Sequence, residues 1–139
     1  MSSSWVGASH TVEHRVIKAD LVTSLFPGVV VFEAKPPVMA TGLLGALCEW
    51  PAMEAIRARI GADEDSLGTG YTIDHLRAVQ LHTLLRVTAT CVEHTGRASV
   101  WSVHVTDGLR TIATARAAFV VVDIGRFTAK HLSFAVPHP

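Results

Sequence analysis

Cysteines and long apolar runs are both scarce in this 139-residue sequence. Its two cysteines, Cys48 and Cys91, lie far apart without a CxxC motif, which does not fit a disulfide framework or a structural zinc site. His10 and His14 have no third ligand nearby in sequence, so we expect no metal. No apolar run approaches the roughly 20 residues that a membrane-spanning helix needs, and the first residues do not resemble a signal peptide. We therefore expect a cytoplasmic protein without a membrane segment.

An excess of charge of either sign is also lacking. The 12 Lys and Arg residues balance the 12 Asp and Glu residues, and the basic residues are scattered along the chain. Proteins that bind nucleic acid concentrate basic residues on one surface to contact phosphates, so we expect no nucleic-acid partner. A hydrophobic fraction of 49% and the absence of a long linker predict a single domain over residues 1–139.

Before the central helix, the sequence predicts one strand and one loop. β-Branched residues alternate over residues 11–20, which is typical of a strand. Residues 24–38 contain three prolines and a glycine, which predicts an irregular, lid-like loop with one short helical turn at most. Since this loop is also rich in Val and Phe, we expect it to fold over another part of the protein.

A long helix is predicted over residues 41–60, with Thr41 as its N-cap and Gly61 as its stop. From Leu43 to Met53 this helix is apolar on nearly all sides, which indicates that a sheet encloses it. Pro51 lies inside the predicted helix and removes one backbone hydrogen bond, so a kink is expected near Glu49.

Alternating apolar and polar residues predict four strands in hairpin succession after the helix. The first begins at Leu67, and the last contains Phe119. One long helix packed on one antiparallel sheet of five or six strands is an α+β fold of the hotdog type. The open edges of such a sheet need cover, so we expect a homodimer.

Glu49 is the first candidate for chemistry, because it lies between Cys48 and Trp50 in the apolar half of the helix. Burying an unpaired carboxylate is costly. The residues alone favour an ordinary carboxylate at the rim of the core, paired with an arginine. The functional alternative is a carboxylate whose basicity or nucleophilicity is tuned by desolvation. We expect Cys48 to be a small buried residue rather than a nucleophile.

Thr41, Gly68 and His75 are the other candidates. Thr41 and Glu49 are about 12 Å apart along a straight helix, so they can serve one site only across a substrate, through a bend or from different subunits. Gly68 begins a strand and is either part of a bulge or a position where a bare backbone N–H approaches a ligand oxygen. His75 lies within the same predicted strand, next to Asp74.

Four stretches of the sequence resemble the fluoroacetyl-CoA thioesterase family of hotdog proteins: ATGLLGALCEW, SLGTGYTIDH, SVHVTDG and RFTAKH. The likeness covers nearly the whole chain, with similar spacing from Thr41 to Lys130. It implies a homodimeric thioesterase that hydrolyses a short acyl-CoA without a metal, coenzyme A being part of the substrate. The family's catalytic residues fall on Thr41, Glu49 and His75, and Gly68 matches the glycine whose N–H lies near the thioester oxygen.

The mechanism implied by this resemblance has two steps. The Glu49 carboxylate attacks the thioester carbonyl and forms an acyl-enzyme anhydride with release of CoA. His75 then assists water in hydrolysing the anhydride, while the Thr41 hydroxyl supports the carboxylate and the polarised carbonyl.

Two departures from the family pattern affect the acyl group. Lys35 stands where the family has a lid phenylalanine, whereas the other lid phenylalanine is kept as Phe32. Phe119 replaces an arginine that helps to recognise the fluorinated acyl group, and the nearby Arg116 should point to the opposite face of the strand. We therefore count Phe32, Lys35 and Phe119 among the substrate-binding residues and expect a different acyl preference, for a short and small group.

Two other functions fit the same fold. A non-catalytic acyl-CoA-binding module is the first, and the kept catalytic trio argues against it. An enoyl-CoA hydratase is the second, and it is disfavoured because no Asp–His pair lies near Thr41.

Overall fold

The computed structural model describes residues 3–132 as one antiparallel sheet packed on one long helix. The strands are β1 Ser9–Arg15, β2 Glu64–His75, β3 Leu84–Thr95, β4 Ala98–Thr106 and β5 Thr111–Asp123. The helices are α1 Val30–Glu33, α2 Thr41–Arg57 and α3 Ile124–Phe127, with a π-helical turn at Thr128–Leu132. The predicted α+β class is confirmed, with five strands. Within residues 3–132, none of the helices has the length and apolar character needed to cross a bilayer.

The strand order in the sheet is β1-β3-β4-β5-β2. Hairpins join β3 to β4 and β4 to β5, as predicted. The predicted hairpin between β2 and β3 is wrong, because β2 pairs with β5 instead. Both sides of β3 are occupied, one by β1 and the other by β4, so β2 takes the far edge of the sheet. Within residues 3–132, one side of β2 is therefore unpaired.

The first strand ends at Arg15, five residues before its predicted end. The chain then turns through a short 3-10 segment, Lys18–Asp20. The buried Asp20 carboxylate holds this turn, because it lies 2.7 Å from Nε2 of His14 and accepts a hydrogen bond from the Ile17 backbone N–H. His14 therefore has a structural partner.

The core lies between α2 and the concave face of the sheet. On β3 and β4 the inward residues alternate as predicted: Leu85, Val87, Ala89, Cys91, Trp101, Val103 and Val105. The helix contributes Leu44, Leu47, Cys48, Ala52, Ala55 and Ile56. Both cysteines are buried in this core, which confirms the interpretation of Cys48 as a small core residue.

The sequence suggested that the sheet encloses α2 on all sides, but the structure shows that it does not. Ala46 is exposed, and Trp50 and Met53 are 37% and 40% exposed. These residues form a stripe on one side of the helix, because they are spaced at about one helical turn. The prediction failed because an apolar residue indicates burial without identifying the surface that covers it. In the described chain, the five strands cover only one side of this helix.

The loop over residues 24–38 contains the predicted short helical turn, α1. Val30 and Val31 do not pack on another part of the described chain, since they are 74% and 63% exposed, whereas Leu25 and Val38 are partly buried. Instead, Phe26 and Phe32 pack on each other with ring centroids 4.8 Å apart. The loop thus presents an exposed apolar surface.

Candidate active site

α2 and β2 lie side by side and run in opposite directions. Thr41 contacts His75, Gly45 contacts Tyr71, and Glu49 contacts Gly68. The three helix residues are four positions apart and therefore lie on one face of α2. All three strand residues belong to the sheet face that carries Ala113, Ala117 and Phe119.

Thr41 and His75 form one end of this row. Oγ1 of Thr41 lies 2.9 Å from Nδ1 of His75, while Nε2 of His75 is buried and has no hydrogen-bond partner within residues 3–132. The prediction that Thr41 is the N-cap is wrong. Ala40 is the N-cap, and Thr41 is the first helical residue, which turns its hydroxyl towards the strand. A buried polar atom without a partner is costly, so Nε2 is available to hydrogen-bond a substrate or water that enters this end of the row.

Glu49 and Gly68 form the other end of the row. A Cβ atom at Gly68 would lie 2.5 Å from Oε2 of Glu49, and 3.9 Å from Cε1 of Phe119. Any side chain at residue 68 would therefore displace the carboxylate. Glycine at residue 68 thus allows the strand backbone to touch the carboxylate, whereas a Cβ would push the flexible end of the Glu49 side chain aside.

A β-bulge places Gly68 opposite Glu49. The register of β2 against β5 shifts between Gly68 and Gly70 and leaves Thr69 without a partner. Strict alternation counted back from His75 would turn Thr69 inward and Gly68 outward. The extra residue reverses this order, so the bulge considered for this glycine pair is confirmed and is what brings Gly68 to the site.

The Glu49 carboxylate has no ion-pair partner in the part of the chain that the structure describes. The interpretation of Glu49 as a carboxylate paired with an arginine is therefore wrong for this chain. Its side chain is half-buried, and this desolvation raises the pKa of the carboxyl group above its usual 4.5. Burial and the Glu49 charge together raise the pKa of the Cys48 thiol to about 12, so Cys48 is unsuited to be a nucleophile.

The two ends of the row remain apart within one chain. α2 continues through Pro51 to Arg57, so Thr41 and Glu49 are separated by about 12 Å along its axis. The structure thus brings Thr41 to His75 and Glu49 to Gly68, but it does not bring Glu49 to His75 within one chain.

The three predicted substrate-binding residues lie in different places. Phe32 packs on Phe26 in the loop. Lys35 lines a cavity of about 340 Å³ that Thr41 and His75 also line. Phe119 is 2% exposed and lies beneath Gly68, while Arg116 points to the other face, as predicted, and contacts Glu93 at 2.8 Å.

The sequence-based search missed Tyr71 and Arg77. Tyr71 lies against Gly45, where any Cβ would overlap its ring, and Arg77 lines the cavity beside His75. Alternation counted from His75 already places Ile73 and Tyr71 on the face of His75, so Tyr71 could have been found. No pattern in the sequence indicated Arg77, because it follows the end of β2.

Comparison with known proteins identifies the family of this chain. Residues 27–124 match the model of the FlK family, described as fluoroacetyl-CoA-specific thioesterase. The fluoroacetyl-CoA thioesterase of Streptantibioticus cattleyicolor is 30% identical over 125 residues, which cover 90% of each protein.

Solved structures of the fluoroacetyl-CoA thioesterase FlK are also similar. One has a TM-score of 0.89 at 28% identity and covers 97% of this chain and 100% of its own. A phenylalanine-to-alanine variant in complex with fluoroacetate and CoA has a TM-score of 0.84 at 30% identity and covers 88% and 98%. A thioesterase superfamily member from Thermus thermophilus, 20% identical with a TM-score of 0.80 and covering 94% and 92%, shares the fold. The predicted hotdog fold is confirmed, and this chain belongs to the fluoroacetyl-CoA-specific thioesterase family.

Proposed function

We propose that this thioesterase hydrolyses a short acyl-CoA. Glu49 is the nucleophile, His75 is the general base that deprotonates water, and Thr41 supports both residues through hydrogen bonds. The observation that carries the proposal is the unpaired, half-buried Glu49 carboxylate held against Gly68. Family membership favours hydrolysis over the two alternatives, an enoyl-CoA hydratase and a non-catalytic binding module. We expect the reaction to occur in the cytoplasm.

In the first step, a Glu49 oxygen attacks the thioester carbonyl carbon. The carbon–sulfur bond breaks, CoA leaves as a thiolate that takes up a proton, and the acyl group stays on Glu49 as an anhydride. Partial desolvation supports this role, because a poorly hydrated carboxylate is a stronger nucleophile. We assign the backbone N–H of Gly68 to the thioester oxygen, where negative charge develops.

In the second step, water attacks the anhydride, and Nε2 of His75 accepts a proton from that water. The acid is released and the Glu49 carboxylate is restored. Nε2 can act as a base only if Nδ1 carries the ring proton and donates it to Oγ1 of Thr41. The Thr41 hydroxyl can then donate its own hydrogen to the carboxylate or to the carbonyl oxygen. No step requires a metal or a cofactor beyond the CoA of the substrate.

We propose that a homodimer assembles this site from two subunits. Gly45 lies halfway between Thr41 and Glu49 on α2, and Tyr71 lies near the middle between Gly68 and His75 on β2. Gly45 and Tyr71 touch each other at the middle of the row. A two-fold axis beside them would therefore place the Glu49 end of one subunit next to the His75 end of the other. Glu49 of one subunit would then face Thr41 and His75 of the other.

The surface around this axis supports such a dimer. β2 is an edge strand of 12 residues whose outer side is unpaired, and an edge of this length readily pairs with another strand. Beside it lie the exposed Trp50 and Met53 and the 42% exposed Tyr71. Pairing of β2 with its copy would cover the edge and this apolar stripe together.

We further propose a short, small acyl group that differs from fluoroacetyl. In the composite site, the acyl group would lie between Glu49 and the partner's Thr41–His75 end. Phe119 fills the space beneath Gly68, and Tyr71 lies across α2 at Gly45. These two rings leave limited room, and the buried Phe119 offers no hydrogen-bond donor to an acyl substituent.

Thiol release from a panel of acyl-CoA thioesters tests the function. The purified protein should release CoA from at least one short acyl-CoA, with kcat/KM falling as the chain lengthens. If no member of a panel covering short, long, polar and carrier-protein-bound acyl groups is hydrolysed, the proposed function is wrong.

Mixing two inactive variants tests the composite site. Glu49→Gln and His75→Ala should each keep at most about a hundredth of the wild-type steady-state activity as homodimers. After subunit exchange at equal amounts, activity should return to about a quarter of the wild-type level, because about half of the dimers are mixed and each mixed dimer keeps one intact site. A site within one chain would give no recovery, since every site would still carry one substitution.

A further inference from the structure

We propose that the cavity beside Thr41 and His75 binds an anionic group of the thioester substrate through Lys35 and Arg77. This inference extends the proposed function, because it assigns a chemical class to the part of the substrate that lies outside the reacting bond. The cavity measures about 340 Å³ and opens to solvent next to the N-terminus of α2.

The charge of the cavity lining is the first argument. Lys35 and Arg77 line it together with Thr41 and His75, and no Asp or Glu contributes to the lining. Neither Lys35 nor Arg77 forms an ion pair with any residue between 3 and 132. Two cations in a lining that contains no carboxylate create a positive potential in a concave site, and such a site attracts anions.

Polar groups at the base of the cavity provide the second argument. Ala40 and Thr41 line it where α2 begins, and no side chain caps this helix end. The N-terminus of a long helix favours negative charge. His75, whose Nε2 atom is buried without a hydrogen-bond partner among residues 3–132, lines the same cavity. Lys35 and Arg77 are exposed and therefore lie nearer the mouth than the Nε2 atom.

Two parts of an acyl-CoA carry suitable anions. The phosphate groups of CoA are one source, and a carboxylate at the far end of a short acyl chain is the other. Both are oxyanions that Arg and Lys bind by charge-assisted hydrogen bonds. The exposed position of both cations fits a group that reaches the mouth of the cavity while the thioester lies deeper.

The test compares Lys35→Met and Arg77→Met with the wild-type protein in steady-state hydrolysis. Each substitution should raise KM about 10-fold, the loss expected for one hydrogen bond to a charged group, and leave kcat within about twofold. Lys35→Arg and Arg77→Lys should stay near the wild-type KM. Arg86→Met, which removes an exposed cation on β3, is the matched control and should leave KM unchanged.

The choice of substrate distinguishes the two sources. If the phosphates bind here, the increase in KM appears with every acyl-CoA and disappears with acyl thioesters of N-acetylcysteamine, which carry no phosphate. If an acyl carboxylate binds here, the increase appears with succinyl thioesters but not butyryl thioesters, and it persists on N-acetylcysteamine. KM values within twofold of wild type for both variants on all these substrates would overturn the proposal.

Direct binding keeps this test independent of turnover. Calorimetry with CoA and with succinyl-CoA on the Glu49→Gln protein should show weaker binding when Lys35→Met or Arg77→Met is added. Such weakening supports the anion site even if no thioester is hydrolysed, a result that would remove only the proposed catalysis. Equal affinities with and without these additional substitutions would contradict the site while leaving the catalytic proposal untouched.

Discussion

Replacing Glu49 by glutamine should reduce thiol release on the order of 10⁴-fold, a loss typical of removing a residue that acts within a catalytic unit. The amide keeps the size of the side chain, but it cannot attack the thioester. The loss should appear in kcat and not in KM, measured by CoA release at saturating substrate. Adding His75→Ala to this variant should cause little further loss, because the step that His75 assists no longer occurs.

Glu54→Gln is the matched control for this substitution. Glu54 is an exposed carboxylate on the same helix, and its replacement should leave kcat within about twofold of wild type, as is usual for surface changes. If Glu49→Gln keeps more than a tenth of the activity, Glu49 is not the nucleophile.

The pH profile of the first CoA release, a step that does not use His75, should report the same carboxylate. Burial raises the pKa of Glu49 above 4.5, and the attacking form is deprotonated. Activity should therefore fall as the pH decreases through this raised pKa, at a pH above 4.5, in both wild type and Glu54→Gln. An acid limb centred at or below 4.5 would contradict the assignment.

Stability measurements provide a further control on Glu49. Since the folded pKa is raised, ionised Glu49 destabilises the fold at every pH above the folded pKa, and this cost is absent below 4.5. The Glu49→Gln protein should therefore unfold at or above the wild-type temperature at neutral pH, and the difference should shrink in acid. Loss of activity through misfolding would instead lower the unfolding temperature.

Replacing His75 by alanine should separate the two steps of the reaction. Attack by Glu49 can still occur, while hydrolysis of the anhydride loses its base, and removing a general base typically costs 10²–10⁴-fold. Stopped-flow thiol detection should show a burst of about one CoA per active site, followed by slow turnover. Mass spectrometry of the quenched protein should find the acyl group on the peptide that contains Glu49.

His104→Ala is the control for this second prediction. His104 is an exposed histidine on β4 that contacts Thr111 at 2.9 Å, and its loss should leave steady turnover without a burst. Slow turnover of His75→Ala with neither a burst nor an acylated peptide would indicate that Glu49 activates water instead of attacking the substrate.

Much of the fold was predictable because its signals are local. Alternating residues identified the inward faces of β3 and β4, and the same rule placed Arg116 opposite Phe119. The end of the first strand at Arg15 was missed because the Asp20 carboxylate holds a turn just after it, and the alternation of residues 11–20 does not show this interaction. The resemblance to the family identified the candidate residues, but it did not show which of them contact one another.

The sequence by itself determined an α+β chain with one long helix, a buried Cys48, and Glu49 in an apolar setting. Only the tertiary structure decided that β2 pairs with β5, that a bulge at Thr69 turns Gly68 towards Glu49, and that His75 meets Thr41. These features depend on contacts between residues far apart in the chain, and periodicity describes only neighbours. The division of the row into two ends follows from the same geometry, because a continuous helix from Thr41 to Arg57 holds Thr41 and Glu49 about 12 Å apart.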